Sequence, residues 1–251
     1  MWRVVIRLIL MVLFSALALP MGFLLRAIGL ELHALKLCMY LSKGLAWAAG
    51  LRVIVRGEMS GDRPLLLVSN HISYLDILAL SSSAPLTFTP KSEIRNWPIV
   101  NWLCLMGGCV FVDRRRSQTK ENLANLHQGL DAGKPLLLFA EGSTGNGKHL
   151  LPIRSSYFQL AETFDQPLTI QPILIRYERI HNLPVDEISR HRIAWVGDDD
   201  LLPHVISLFQ MGPVTVSVNF LSEIDVSDCN GRKDIAAKCD QILSDAANNL
   251  L

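Results

Sequence analysis

Apolar and polar positions follow two different rhythms along this chain. From Leu8 to Leu25, 18 residues run without a charge, bounded by Arg3 and Arg7 before and Arg26 after. As a helix this run is about 27 Å long, just short of a hydrocarbon core of about 30 Å. Pro20 and Gly22 interrupt it, so the pattern predicts a kinked span or a re-entrant hairpin. Residues 33–49 mix Leu35, Leu37, Met39, Leu41, Leu45 and Trp47 with Lys36 and Lys43, as expected of an amphipathic helix lying in an interface. Ala16-Leu17-Ala18 after a basic start has the form of a cleavage site. The apolar run continues past it to Leu25, which favours a retained membrane-attached segment over an excised leader.

Beyond Arg52 the rhythm changes to short β-rich runs separated by helical stretches. Strands are predicted at 52–56, 65–69, 109–112, 136–140, 168–176, 192–196 and 214–219. Several of these are almost continuously apolar, as in strands covered on both faces. Helices are predicted at 74–82, 97–106, 117–132, 155–163 and 232–248. This alternation predicts an α/β fold: a central mixed, mostly parallel sheet flanked by helices, with an N-terminal membrane-associated helical segment. No repeat and no Pro/Gly/Ser-rich linker divides the body. The expected organisation is therefore an anchoring segment over 1–50 and one α/β domain over 51–251.

Charge sharpens that division. The 24 Lys and Arg against 23 Asp and Glu leave a net +1, which argues against a nucleic-acid partner. Residues 1–56 hold seven basic residues and one acid, Glu31, giving +6, so the remainder carries −5. A basic, apolar head on a mildly acidic body suits anionic lipid. The five cysteines are odd in number and form no C-x-x-C pair, and no histidine stands at metal-ligand spacing. No disulfide framework, metal or cofactor is expected, and a reducing compartment fits best.

Three constellations could carry chemistry. The first is Ser69-Asn70-His71-Ile72-Ser73-Tyr74-Leu75-Asp76 after an apolar strand. On one regular helix His71 and Asp76 would lie about 140° apart around the axis and could not meet. They meet if His71 sits in the loop and the helix starts near Ser73, with Asp76 as the third residue of a capping box. A carboxylate that fixes the tautomer of a histidine makes a general base. Asp76 serving only as a helix cap is the alternative. The second is Val110-Phe111-Val112-Asp113-Arg114-Arg115-Arg116, a strand end that offers Arg114 to a phosphate; Arg115 and Arg116 read as solvated surface. The third is the strand 136–140 running into Glu141-Gly142-Ser143, whose backbone and hydroxyl could contact a polar head group. Gly142 to Lys148 also satisfies G-x-x-x-x-G-K. However, His149 stands where Ser or Thr should hold magnesium, and Pro152 falls where the helix should run, so a nucleotide-binding P-loop is the weaker reading. Trp97–Leu103 reads as core, or as the lining of an acyl-chain groove.

Taken in order, Asn70-His71…Asp76, Phe111-Val112-Asp113-Arg114, Ala140-Glu141-Gly142-Ser143 and Ile170-Gln171-Pro172-Ile173 resemble the motifs of the 1-acylglycerol-3-phosphate acyltransferase family of glycerolipid acyltransferases. The resemblance covers roughly residues 50–220. It implies transfer of an acyl group from acyl-CoA or acyl carrier protein to the free hydroxyl of a lysolipid, most simply 1-acylglycerol-3-phosphate giving phosphatidate. It further implies His71 as base, Asp76 as its orienting partner, and Arg114, Glu141, Gly142 and Ser143 as acceptor contacts. The location implied is the cell membrane, with the catalytic domain on the cytoplasmic face. Two positions depart from the family pattern. Ala140 replaces a proline, and Thr144 stands where phosphatidate-forming members often have arginine. The second departure brings the chain closer to members acting on other lysolipids, including lyso-ornithine lipid.

Overall fold

The computed structural model describes residues 2–113, 119–196 and 201–249. The apolar head forms two helices, α1 (Trp2–Ala27) and α2 (Glu31–Ala49). A turn through Gly29 at φ +79° reverses the chain between them. Gly22 comes against Leu37, Gly44 against Phe14 and Gly50 against Arg7, so the two helices pack antiparallel along their lengths. Pro20 does not break α1 into two arms; the hairpin lies between α1 and α2 instead.

The body is built on a sheet of order β1-β7-β5-β2-β4-β3, with two short strands, β6 and β8, pairing on β5. Its strands are β1 (Leu51–Arg56), β2 (Leu65–Ser69), β3 (Thr87–Phe88), β4 (Leu136–Phe139), β5 (Thr169–Ile180), β6 (Leu183–Pro184), β7 (Val214–Phe220) and β8 (Ile224–Asp225). β1–β7, β5–β2, β2–β4 and β4–β3 pair parallel, while β5–β7 pair antiparallel. The mixed, mostly parallel sheet predicted from the alternation is therefore present. β2 shows why the pattern works. All five of its residues are buried, Leu65 and Leu67 in one core cluster and Leu66 and Val68 in the other, because alternate side chains leave opposite faces of a sheet covered on both sides. One face is covered by α2, α3 (Leu75–Ser83) and α8 (Leu201–Met211). The other is covered by α5 (Thr119–Asp131), α6 (Gln159–Thr163) and α9 (Arg232–Asn249).

Two predicted strands are not strands. Residues 109–112 make only one isolated bridge, Val112 to Lys91, with Val110 N–H donating to Phe88 O. Gly108 at φ +64° turns the chain just before this segment, and it lies outermost beyond the two-residue β3. Residues 192–196 instead end α7 (Glu187–Ile193) and the extended turn after it. The reason is local: Asp186 and Ser189 form a capping box, a helix-start signal that outweighs the β-branched composition that follows. The pattern also gave no hint of α8, where Pro203 sits in the first turn and needs no N–H partner.

Candidate active site

β2 and β4 are parallel neighbours, so the loops at their carboxyl ends emerge side by side. The first carries Asn70, His71 and Ser73, and the second Glu141, Gly142 and Ser143. Asn70 acts where β2 stops. Its side-chain Oδ1 accepts from Ile175 N–H at 2.8 Å and its Nδ2 donates to Ile175 O at 3.1 Å. The side chain thus stands in for a peptide group and continues the pairing with β5 one step beyond Ser69. His71 is thereby launched from a fixed point.

The second loop then clamps the His71 backbone from both sides. Glu141 Oε2 accepts His71 N–H at 2.9 Å, and Gly145 N–H donates to His71 O at 2.7 Å. Glu141 Oε1 accepts Leu151 N–H at 2.9 Å, so each carboxylate oxygen holds one backbone N–H. Gly142 turns the chain at φ +73°. A Cβ there would lie 2.9 Å from Tyr157 Oη and 3.3 Å from Arg154 Nε, so a side chain would displace both.

His71 sits in the loop and α3 begins at Leu75, so the pair separated by five positions does meet. His71 Nδ1 lies 2.9 Å from Asp76 Oδ2. That oxygen also accepts Ile72 N–H at 2.6 Å and Ser73 N–H at 2.9 Å, the second being the reach-back half of the expected capping box. The reciprocal half is absent: Ser73 Oγ accepts from Leu75 N–H at 3.5 Å, and Tyr74 is the cap residue. Tyr177 Oη donates to Asp76 Oδ1 at 2.6 Å. Cap and orienter were alternatives in the sequence; here one carboxylate does both. Its acceptor role places the imidazole proton on Nδ1 and leaves the lone pair on Nε2, away from the carboxylate. The ring stacks on Phe139 at 3.8 Å and 14°, and its side chain is 18% exposed while that of Asp76 is 0% exposed.

The Gly142–Lys148 loop does not have the form of a nucleotide cradle. No helix begins at Lys148, residues 149–154 being non-helical; its Nζ lies 3.6 Å from Glu187, and Thr144 Oγ1 donates to Trp195 O. Arg114, with Arg115 and Arg116, lies outside the described residues. No cluster of His, Cys, Asp and Glu able to hold a metal occurs among the described residues. Sequence reasoning missed the parts of Asn70, Phe139 and Tyr177. For Tyr177 a signal existed, since Ile173, Ile175 and Tyr177 alternate on the sheet face that α3 covers.

The acyltransferase family model matches residues 52–176, which hold every element of this site except Tyr177. Lyso-ornithine lipid O-acyltransferases of Rhizobium meliloti and Brucella abortus are 38% and 34% identical over 74% of this chain, covering 66% and 72% of their own lengths. The chain belongs to the lysophospholipid acyltransferase family. It spans about two thirds of the length of these relatives. The crystal structure of the 1-acyl-sn-glycerophosphate (LPA) acyltransferase PlsC from Thermotoga maritima superposes with a TM-score of 0.71 at 19% identity, covering 99% of this chain and 97% of that one. That likeness establishes the shared fold, N-terminal helices included.

Glu141 gives this family member a pH signature. Burial pushes its carboxyl up to about 7, against the opposing pull of the two backbone N–H donors and of His71. An acid raised in the folded state stabilises fully below its ordinary value near 4.5 and loses that contribution as pH rises through about 7. Glu141→Gln removes the titration and sets an amide NH₂ against one backbone N–H. Thermal unfolding should show wild type ahead by most near pH 5, the gap narrowing towards pH 8. A gap constant with pH would count against the assignment.

Proposed function

We propose that this protein is a membrane-bound lysolipid O-acyltransferase that moves a fatty acyl group from acyl-CoA or acyl carrier protein to the free hydroxyl of a lysolipid. The observation that carries this reading is the 2.9 Å contact between His71 Nδ1 and a buried Asp76 that four donors hold in place. A thioester is already activated, so the chain needs no covalent intermediate. His71 Nε2 takes the proton as the lysolipid hydroxyl attacks the thioester carbonyl, and the imidazolium returns it to the departing thiolate. The products are the lipid ester and a free thiol. A positioned base of this kind contributes about 10²–10⁴-fold.

On the acceptor side, Gly142 and Ser143 of the loop after β4 and Arg114, the cation that follows Phe111-Val112-Asp113 in the sequence, are proposed as contacts to the acceptor head group. Glu141 serves by clamping the loop. The Arg154 guanidinium lies against Gly142 and is exposed, which supplies a cation beside the loop where Thr144 has replaced arginine. The ordered motifs favour 1-acylglycerol-3-phosphate as acceptor, giving phosphatidate. Thr144 and the names of the relatives favour a second reading, lyso-ornithine lipid. Both acceptors present an anion, a phosphate or a carboxylate. A panel of lysolipids offered with labelled acyl-CoA and labelled acyl carrier protein separates the two by product.

Residues 1–50 are proposed as the membrane anchor of the domain over 51–251. Both ends of α1 are held against the body: Arg7 donates to Phe209 O at 2.6 Å and Arg26 to Met106 O at 3.2 Å. A helix pinned at both ends lies along the domain, which favours insertion into one leaflet over a crossing. Ile9, Leu13 and Leu17 on α1 are exposed, as are Ile99, Trp102 and Leu105 on α4 (Pro98–Met106), which packs beside α1. The free cysteines and a thioester donor fit the cytoplasmic face of the cell membrane. Charging Leu13 and Leu17 together as glutamate should weaken binding to anionic liposomes at least tenfold, since each buried leucine is worth about 1.5–3 kcal/mol. Both are exposed, so thermal unfolding should be unchanged. Undiminished co-sedimentation would remove α1 from the membrane contact.

A further inference from the structure

β5 delivers one group to the dyad from the far side. Tyr177 lies at the point where pairing between β5 and β7 shifts register, with Glu178 as the extra residue. Its phenol is buried beside α3 and donates to Asp76 Oδ1 at 2.6 Å. Three donors converge on Oδ2, but Tyr177 is the one donor given to Oδ1 among the described residues. Without it Oδ1 would lose this donor, and the plane of the carboxylate would be set through Oδ2 alone.

We propose that Tyr177 is a positioning residue of the acyl-transfer base: its O–H fixes the plane of the Asp76 carboxylate and draws charge from it, setting the pH at which His71 becomes a free base. The inference rests on the reading of His71 as that base. Burial, reinforced by the Asp76 charge, holds the phenol well above its ordinary value, so it is a donor at every working pH. The other ionisable groups around the pair are Glu141 from the loop after β4, Tyr74 at the start of α3, and Arg190 of α7, which borders the small void beside Tyr177 and Ile72. Tyr177→Phe leaves all three in place. Deleting the hydroxyl makes the His71–Asp76 pair hold its shared proton more tightly, whichever residue carries it. The acid limb of the rate profile therefore moves up. The lost orientation lowers kcat, while KM is unmoved because no acceptor contact is removed.

The test compares wild type, Tyr177→Phe and a protein with 3-fluorotyrosine at position 177, all full-length. The imidazole of ¹⁵N-histidine-labelled protein is titrated by NMR, and acyl transfer from labelled acyl-CoA or acyl carrier protein to 1-acylglycerol-3-phosphate and lyso-ornithine lipid is followed across pH. Tyr177→Phe should raise the His71 midpoint and the acid limb together by roughly half to one pH unit. It should lower kcat about tenfold with KM unchanged. The fluorinated phenol, a stronger donor, should move the midpoint down, and it serves alone if the phenylalanine variant does not fold. Unmoved midpoints, or a uniform loss at all pH that tracks a lower Tm, overturn the role for Tyr177. The reading of His71 fails separately, through an active His71→Ala variant or through a wild type that acylates neither lipid. The NMR midpoint decides on Tyr177 in either case.

Discussion

Replacing His71 by alanine is expected to reduce acyl transfer by about 10²–10⁴-fold, the contribution of a positioned base, while the protein stays folded. The backbone at this position is held independently of its side chain, by Glu141 on the N–H and Gly145 on the carbonyl. Asp76 Oδ2 keeps the Ile72 and Ser73 N–H donors when the imidazole goes. The lost stacking on Phe139 involves a partly exposed ring and costs little stability. KM for the acceptor should hardly change, because Nε2 contributes mainly as the hydroxyl loses its proton. Kinetics with circular dichroism on the same preparation check both halves of the expectation.

Asp76 should divide into two outcomes that His71 does not show. In Asp76→Asn the amide oxygen can take the Oδ2 position and accept the same backbone N–H groups, while its NH₂ donates to the Tyr177 oxygen. The fold survives and the imidazole loses its ionic partner, so activity should fall about 10²–10⁴-fold. In Asp76→Ala four donors lose their acceptor at a fully buried site. Each orphaned donor costs about 1–3 kcal/mol, and together they approach the 5–15 kcal/mol total of a typical domain. The alanine variant should therefore unfold or melt far below the asparagine one. Equal melting temperatures for the two would show that the cap role has been misjudged.

Much of this was legible along the chain, for reasons that differ by element. β2 announces itself because a strand covered on both faces has no polar position, and the fully buried Leu65–Ser69 is read directly. The histidine and aspartate could be paired because a spacing that fails on a helix succeeds across a loop-to-helix junction. What escaped were partners supplied from far along the chain. Asn70 bonds Ile175, 105 positions away, and Tyr177 bonds Asp76, 101 positions away. Nothing local marks such a residue except the side of the strand it occupies. Glu141 was legible in part: an acid at a strand end invites a substrate contact, but no local pattern shows that its two oxygens also hold the backbone N–H groups of His71 and Leu151. Residues 192–196 form no strand because the capping box at Asp186–Ser189 starts a helix that runs to Ile193.

The most direct test of the central claim follows labelled acyl groups by chromatography from thioester donor to lysolipid, with wild type and His71→Ala in parallel in the same liposomes. The account predicts a labelled diacyl product from wild type and a trace at most from the variant, with both proteins equally folded and equally bound. Labelled product from the variant within a few-fold of wild type, or none from wild type with any lysolipid, would contradict it.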